Sequence, residues 1–170
     1  YLINQGYAEK NSAREFRLGD HSGLLDSWVE SDNIARRTTI YRYAGYLGAP
    51  LDLAKGVQDW AQQESVSIAF TQWLAAWVRH PYTEPPLTSA YVSRLPDDTT
   101  LESLALRPVS EGGKLWLYLP DDPGLLAETQ SRGDLTLTTD AQICLDFKST
   151  GLRGPDAALA LRSWDGFCRP

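Results

Sequence analysis

The chain has 170 residues and a formal net charge of −6, which argues against a nucleic-acid footprint over its whole surface but leaves room for a local basic patch. Apolar residues make up 42%, enough for a real core and too many for a disordered chain, and the length fits one ordinary domain or one with a small appendage. No apolar run approaches the roughly 18 residues of a membrane span. Cys144 and Cys168 show neither zinc spacing nor a CxxC pattern, and are expected to be free thiols in a reducing cytoplasm.

The chain opens on Tyr1 and holds no Met, which is read as a processed product or a fragment. Residues 2–6 resemble the tail of a helix ended by Gly6. Tyr7–Lys10 and Glu15–Leu18 are predicted as short strands around a turn at Asn11-Ser12-Ala13. Asp20 or Ser22 can cap a helix over 23–30 that buries Leu24, Leu25 and Trp28. Residues 32–50, polar and then rich in tyrosine up to a Gly-Ala-Pro turn, read as a linker. Leu53, Val57, Trp60 and Ala61 recur at helical spacing and predict a helix over 51–61. A second helix is expected over 67–78, closed by His80-Pro81. Strands are expected at 89–94, 104–108, 114–119 and 135–138, with a hairpin turn at Gly112-Gly113. A helix or helical turn is expected at 140–146, and Pro155 suits the first position of a last helix running to Arg162.

Few residues point to chemistry. Asp146-x-Lys148 is similar to the acidic-x-Lys end of PD-(D/E)xK nucleases, where two carboxylates hold Mg²⁺ and a Lys sits near the attacking water; Asp140 would be the upstream acid. The paired Asp97-Asp98 and Asp121-Asp122 stand beside prolines, in turn contexts. His21 and His80 have no ligand spacing, there is no GxSxG, and no cofactor motif is present. Trp73 and Trp77 lie four apart on one helical face, as core residues or as an aromatic contact surface.

Two stretches together resemble the AbiEi-type antitoxin family of transcriptional regulators. The run Thr136–Leu161 carries Gln142, Leu145, Asp146, Arg153, Gly154, Ala157 and Ala158 in the order of that family's C-terminal signature, and LINQGYAEK with EFRLGDHSGLLDSW resembles the end of its winged helix. The resemblance implies an α+β fold. Residues 1–31 would be the remnant of a winged helix (wing hairpin plus helix), 32–50 the linker, and 51–170 an effector domain with a mixed sheet. It also implies a cytoplasmic, bacterial repressor of its own operon, not an enzyme and without a cofactor, that binds double-stranded DNA. A nucleotidyltransferase-like toxin and a homodimer are the other partners it implies. Tyr7, Lys10, Arg14 and Arg17 of the wing, continued by Arg36 and Arg37, would lie along the phosphates, where contacts give affinity but little sequence information. The signature residues Gln142, Asp146, Arg153, Gly154, Ala157 and Ala158 would be structural. The alternatives are a toxin-neutralising interaction module without DNA binding, and the metal-dependent nuclease.

Overall fold

The computed structural model describes residues 2–11, 15–151 and 153–169, and the chain divides into two compact units, residues 1–32 and 33–170. The first unit is a hairpin followed by a helix. Strand β1 (Ala8–Lys10) pairs antiparallel with β2 (Phe16–Leu18), placing Glu9 opposite Arg17 and Lys10 opposite Phe16. Opposite charges facing each other across an antiparallel pair contribute a few tenths of a kcal/mol up to about 1. The Asn11 side chain closes the loop by accepting from the Glu15 N–H and donating to the Glu15 carboxylate, both at 2.9 Å. At the base, the Tyr7 carbonyl accepts from the N–H groups of Gly19 and Asp20. Helix α1 (His21–Ser31) starts where Asp20 accepts from the Gly23 N–H at 2.8 Å, so the expected cap is Asp20 and not Ser22. Residues 2–6 form turns and not a helix end, with Gly6 in the left-handed region at φ +78°.

The second unit is a mixed seven-stranded sheet with helices, so the fold is α+β. Strand β3 (Thr38–Ala44) lies inside the segment expected to be a linker. The sequence TTIYRYA hides it, because its charged and polar positions break the apolar alternation. A 3₁₀ turn at Ile34–Arg36 precedes it. Helix α2 (Pro50–Gln63) begins with proline at its first turn and buries Leu53, Ala54, Val57, Trp60 and Ala61, as its spacing requires.

Residues 67–78 are not one helix. They form strand β4 (Ile68–Phe70) and helix α3 (Gln72–Arg79), broken at Thr71. Both pieces are buried, and a continuous apolar run does not reveal a change of period. There follow β5 (Thr88–Val92), α4 (Asp98–Ser103), β6 (Arg107–Val109), β7 (Leu115–Pro120), β8 (Thr129–Arg132), β9 (Leu135–Thr138), α5 (Asp140–Phe147) and α6 (Gly154–Arg162). Helix α4 and strand β8 have no counterpart in the sequence reading. Among the described residues no helix is long and apolar enough to cross a membrane.

The sheet order is β6-β3-β7-β5-β4-β9-β8. The β7–β5 and β4–β9 pairs are parallel and the rest antiparallel. Because β3 lies between β6 and β7, Gly112-Gly113 is a crossover and not a hairpin turn. Gly113 has φ +92°, and a Cβ there would meet the Tyr43 carbonyl oxygen at 2.5 Å. Gly113→Ala is therefore expected to destabilise the second unit by about 1–3 kcal/mol, the range for strained backbone, as read by urea denaturation; an unchanged midpoint would show that the turn relaxes freely.

Strand β5 is buried along its whole length and so is covered on both faces. Thr88 donates to the carbonyl of Pro50, at the start of α2. The alternate residues Ser89 and Tyr91 point the other way, to Gln72 of α3 and Asp146 of α5. Helices α3, α5 and α6 pack against one another on that second face. Trp73 meets Phe147 there edge-on, with ring centroids 5.0 Å apart.

Candidate functional site

The exposed basic residues expected on the wing divide by location. Lys10 and Arg17 are exposed on the hairpin, Lys10 with its ammonium 5.6 Å from the Phe16 ring and Arg17 opposite Glu9; Tyr7 is half-buried. Phe16 is 68% exposed. Arg14 lies outside the described residues. Arg36 ends the 3₁₀ turn and is exposed. Arg37 departs from the expected phosphate track. Its guanidinium turns into the second unit, donating at 2.6 Å to Asp146 and at 2.6 Å to the Tyr91 hydroxyl, with only 24% of the side chain exposed.

Asp146 is the centre of a buried polar network. One carboxylate oxygen accepts from Arg37, Tyr91 and Gln142, the last two at 2.8 Å, and the other accepts from the Thr71 hydroxyl at 2.5 Å. Gln72 forms the next layer. Its amide nitrogen donates to the Asp146 carbonyl at 3.0 Å, and its amide oxygen accepts from Ser89 and Tyr118. Gln72 sits at φ +53°, a left-handed conformation costing about 1–2 kcal/mol, held by these side-chain bonds. Burial pushes the Asp146 carboxyl up from its ordinary range, against the pull of Arg37 and Thr71. Burial likewise raises the Tyr91 and Tyr118 hydroxyls, so both stay protonated and act as donors. Every group pointing at Asp146 is a donor, which suits a carboxylate that organises the interior.

Asp140 belongs to a second, separate pair. The Arg79 fork reaches both its oxygens at 2.7 Å, with side-chain exposures of 2% and 1%. Burial pushes the Asp140 carboxyl up, but Arg79, Gln130 and the Cys168 N–H together outweigh it and hold the group below the usual range. Arg79 also donates to the carbonyls of Gly166 and Arg169, and lies 4.9 Å from the Trp164 ring, which stacks on His80. The segment after α6 is thereby tied to α3 and α5.

This geometry removes the nuclease constellation. Asp140 opens α5 and Lys148 caps its other end, a separation of about 12 Å at 1.5 Å rise per residue, and the two carboxylates face different arginines. Among the described residues no group of three His, Cys, Asp or Glu side chains is arranged to hold a metal. A cavity of about 540 Å³ lies between α2 and the β8–β9 turn, beside Lys55, Gln58, Asp59, Ser131, Asp134 and Thr136. It holds none of the expected site residues.

Of the remaining signature residues, Gly154 and Ala157 serve packing, and Arg153 does not. Gly154 is buried, and a Cβ there would meet the Phe147 carbonyl at 2.6 Å, so α6 can approach the end of α5 only with glycine. Ala157 is buried; Ala158, half-buried, offers its carbonyl to the Cys144 thiol, and Arg153 is exposed. Cys144 is buried, its thiol pushed up to about 12, and Cys168 is exposed; both are free.

Sequence reasoning missed Thr71, Gln72, Arg79, Tyr91 and Tyr118. The signal was a polar pair and a lone arginine inside an otherwise apolar stretch, since buried polar groups require partners. Compared with family models, with curated proteins and with solved structures, the chain matches none.

Proposed function

We propose that this chain is part of a DNA-binding transcriptional regulator, an antitoxin-type repressor of its own operon acting in the cytoplasm. The first unit supplies a DNA-contacting wing. The second acts by binding, with a nucleotidyltransferase-like toxin as its protein partner, and performs no reaction. The observation supporting this reading is the hairpin that precedes the capped helix α1, with Lys10 and Arg17 exposed on its strands. Such a hairpin can lay cations along a phosphate backbone while its own main-chain hydrogen bonds stay intact.

The test is a salt titration of binding to duplex DNA from upstream of the gene. Replacing Lys10, Arg14 and Arg17 with Ala should weaken binding on any sequence. It should also flatten the dependence of log K on log salt by about 0.9 for each lost phosphate contact, or nearly three in all. An unchanged slope, or no binding by the parent protein, would overturn the assignment.

A further inference from the structure

The two edges of the seven-stranded sheet differ. Edge strand β6 has three residues and carries Pro108, which has no N–H to offer a neighbour. Edge strand β8, Thr129-Gln130-Ser131-Arg132, has no proline, and Glu128, Thr129 and Ser131 are exposed.

The direction of its free main-chain groups can be derived. Gly133 and Asp134 form a two-residue turn between Arg132 and its partner Leu135, with Gly133 at φ +56°. The pair closing such a turn is hydrogen-bonded, and bonded and non-bonded pairs alternate from there. Gln130–Leu137 is then a bonded pair, and Ser131–Thr136 and Thr129–Thr138 are not. The Thr136 N–H agrees, because it turns away from β8 to the Gln58 side chain at 3.0 Å. Thr129 and Ser131 therefore direct their N–H and carbonyl groups out of the sheet edge.

We infer that β8 pairs antiparallel with β8 of a second copy of this chain, with Gln130 on the twofold axis. In that register Thr129 and Ser131 of one copy face Ser131 and Thr129 of the other and exchange main-chain hydrogen bonds. Glu128, the residue just before the strand, and Arg132 at its end are brought to the same ends of the paired strands, so Glu128 stands beside the second copy's Arg132, and Arg132 beside its Glu128. The edge is thus complementary to itself in hydrogen bonding and in charge. The Arg132 guanidinium now donates at 3.0 Å to the Ser131 carbonyl; on pairing, that carbonyl takes the second copy's N–H and the guanidinium turns to the facing carboxylate. Four residues of edge bury little area, so the dimer forms at high protein concentration.

The test uses two exposed single variants and sedimentation over a concentration series up to millimolar. The parent chain should approach twice the monomer mass. Glu128→Arg alone and Arg132→Glu alone should each remain monomeric, because each sets like charges face to face. An equimolar mixture of the two should dimerise, since every facing pair is then opposite in sign. Ser131→Pro, which removes an outward N–H, should be folded by circular dichroism and monomeric. A monomeric parent chain, dimeric single variants, a monomeric mixture, or a folded Ser131→Pro that still dimerises would each overturn the proposal. None of these outcomes depends on DNA binding.

Discussion

Asp146→Ala is expected to cost the second unit about 3–5 kcal/mol in chemical denaturation, the range for removing one partner of a buried ion pair. The loss is larger than that of one contact. Arg37, Thr71, Tyr91 and Gln142 all donate to this carboxylate, and its removal leaves several donors unmatched in the interior. Against a typical total stability of about 5–15 kcal/mol, such a change brings the unit near its unfolding threshold. Asp146→Asn keeps the shape and an acceptor oxygen for three of the four donors. It should cost less, about 1–3 kcal/mol. Equal midpoints for the Ala and Asn variants would show that the retained shape and acceptor oxygen contribute nothing, and that loss of the carboxylate's charge accounts for the whole cost. The partners converge from the 33–37 region, the β4–α3 junction, β5 and α5, so the unfolding transition should lose steepness together with its midpoint if the network holds the unit as one cooperative body.

Arg79→Met is expected to be comparably destabilising, by about 3–5 kcal/mol, with a visible change in Trp164 fluorescence as the segment after α6 loses its anchor. Arg79→Lys should recover only part of this, since an ammonium cannot reproduce the two-pronged contact with Asp140. The pH dependence has a definite sign. The folded state holds the Asp140 carboxyl below its unfolded value of about 3.9. Its stabilising contribution is therefore complete above that value and is lost as the pH falls through the lower folded value. The parent should weaken in that acid window relative to neutral pH, and Arg79→Met should show a shallower acid limb. Parallel limbs in the two proteins would rule out the pair as the source of the acid sensitivity.

The sequence shows the local elements better than their assembly. Asp20 and Pro155 mark helix starts by chemistry that acts within one turn, and both lie at helix starts. KLWLYL is legible as a strand because its short apolar run is continuous, as suits a strand with neighbours on both sides in a largely covered sheet. Strand β3 was hidden for the opposite reason: Thr39, Arg42 and Ala44 give no period, and the strand is specified by β7 and β6 on its two sides. Gln142 donates to Asp146 from the same helix, four residues away, a contact that helical spacing alone makes available. Arg37, expected along DNA, was misplaced because its partners stand 54 and 109 residues away. No local pattern encodes a contact of that range.

The strand order has a kinetic consequence. Apart from the β4–β5 and β8–β9 pairs, the sheet cannot grow by adding each new strand to the one just made. Thr38 must wait for Pro120 before it gains its neighbour, and Phe70, which pairs with Ala90 on one side, must wait for Leu137 on the other. Closing such long loops comes before the contacts that reward it, which places the second unit among slow-folding topologies, on the millisecond-to-second scale. During synthesis β3 emerges long before β6 and β7, and β4 long before β9, and the edges left unpaired are exposed in that interval to neighbouring chains or to chaperones.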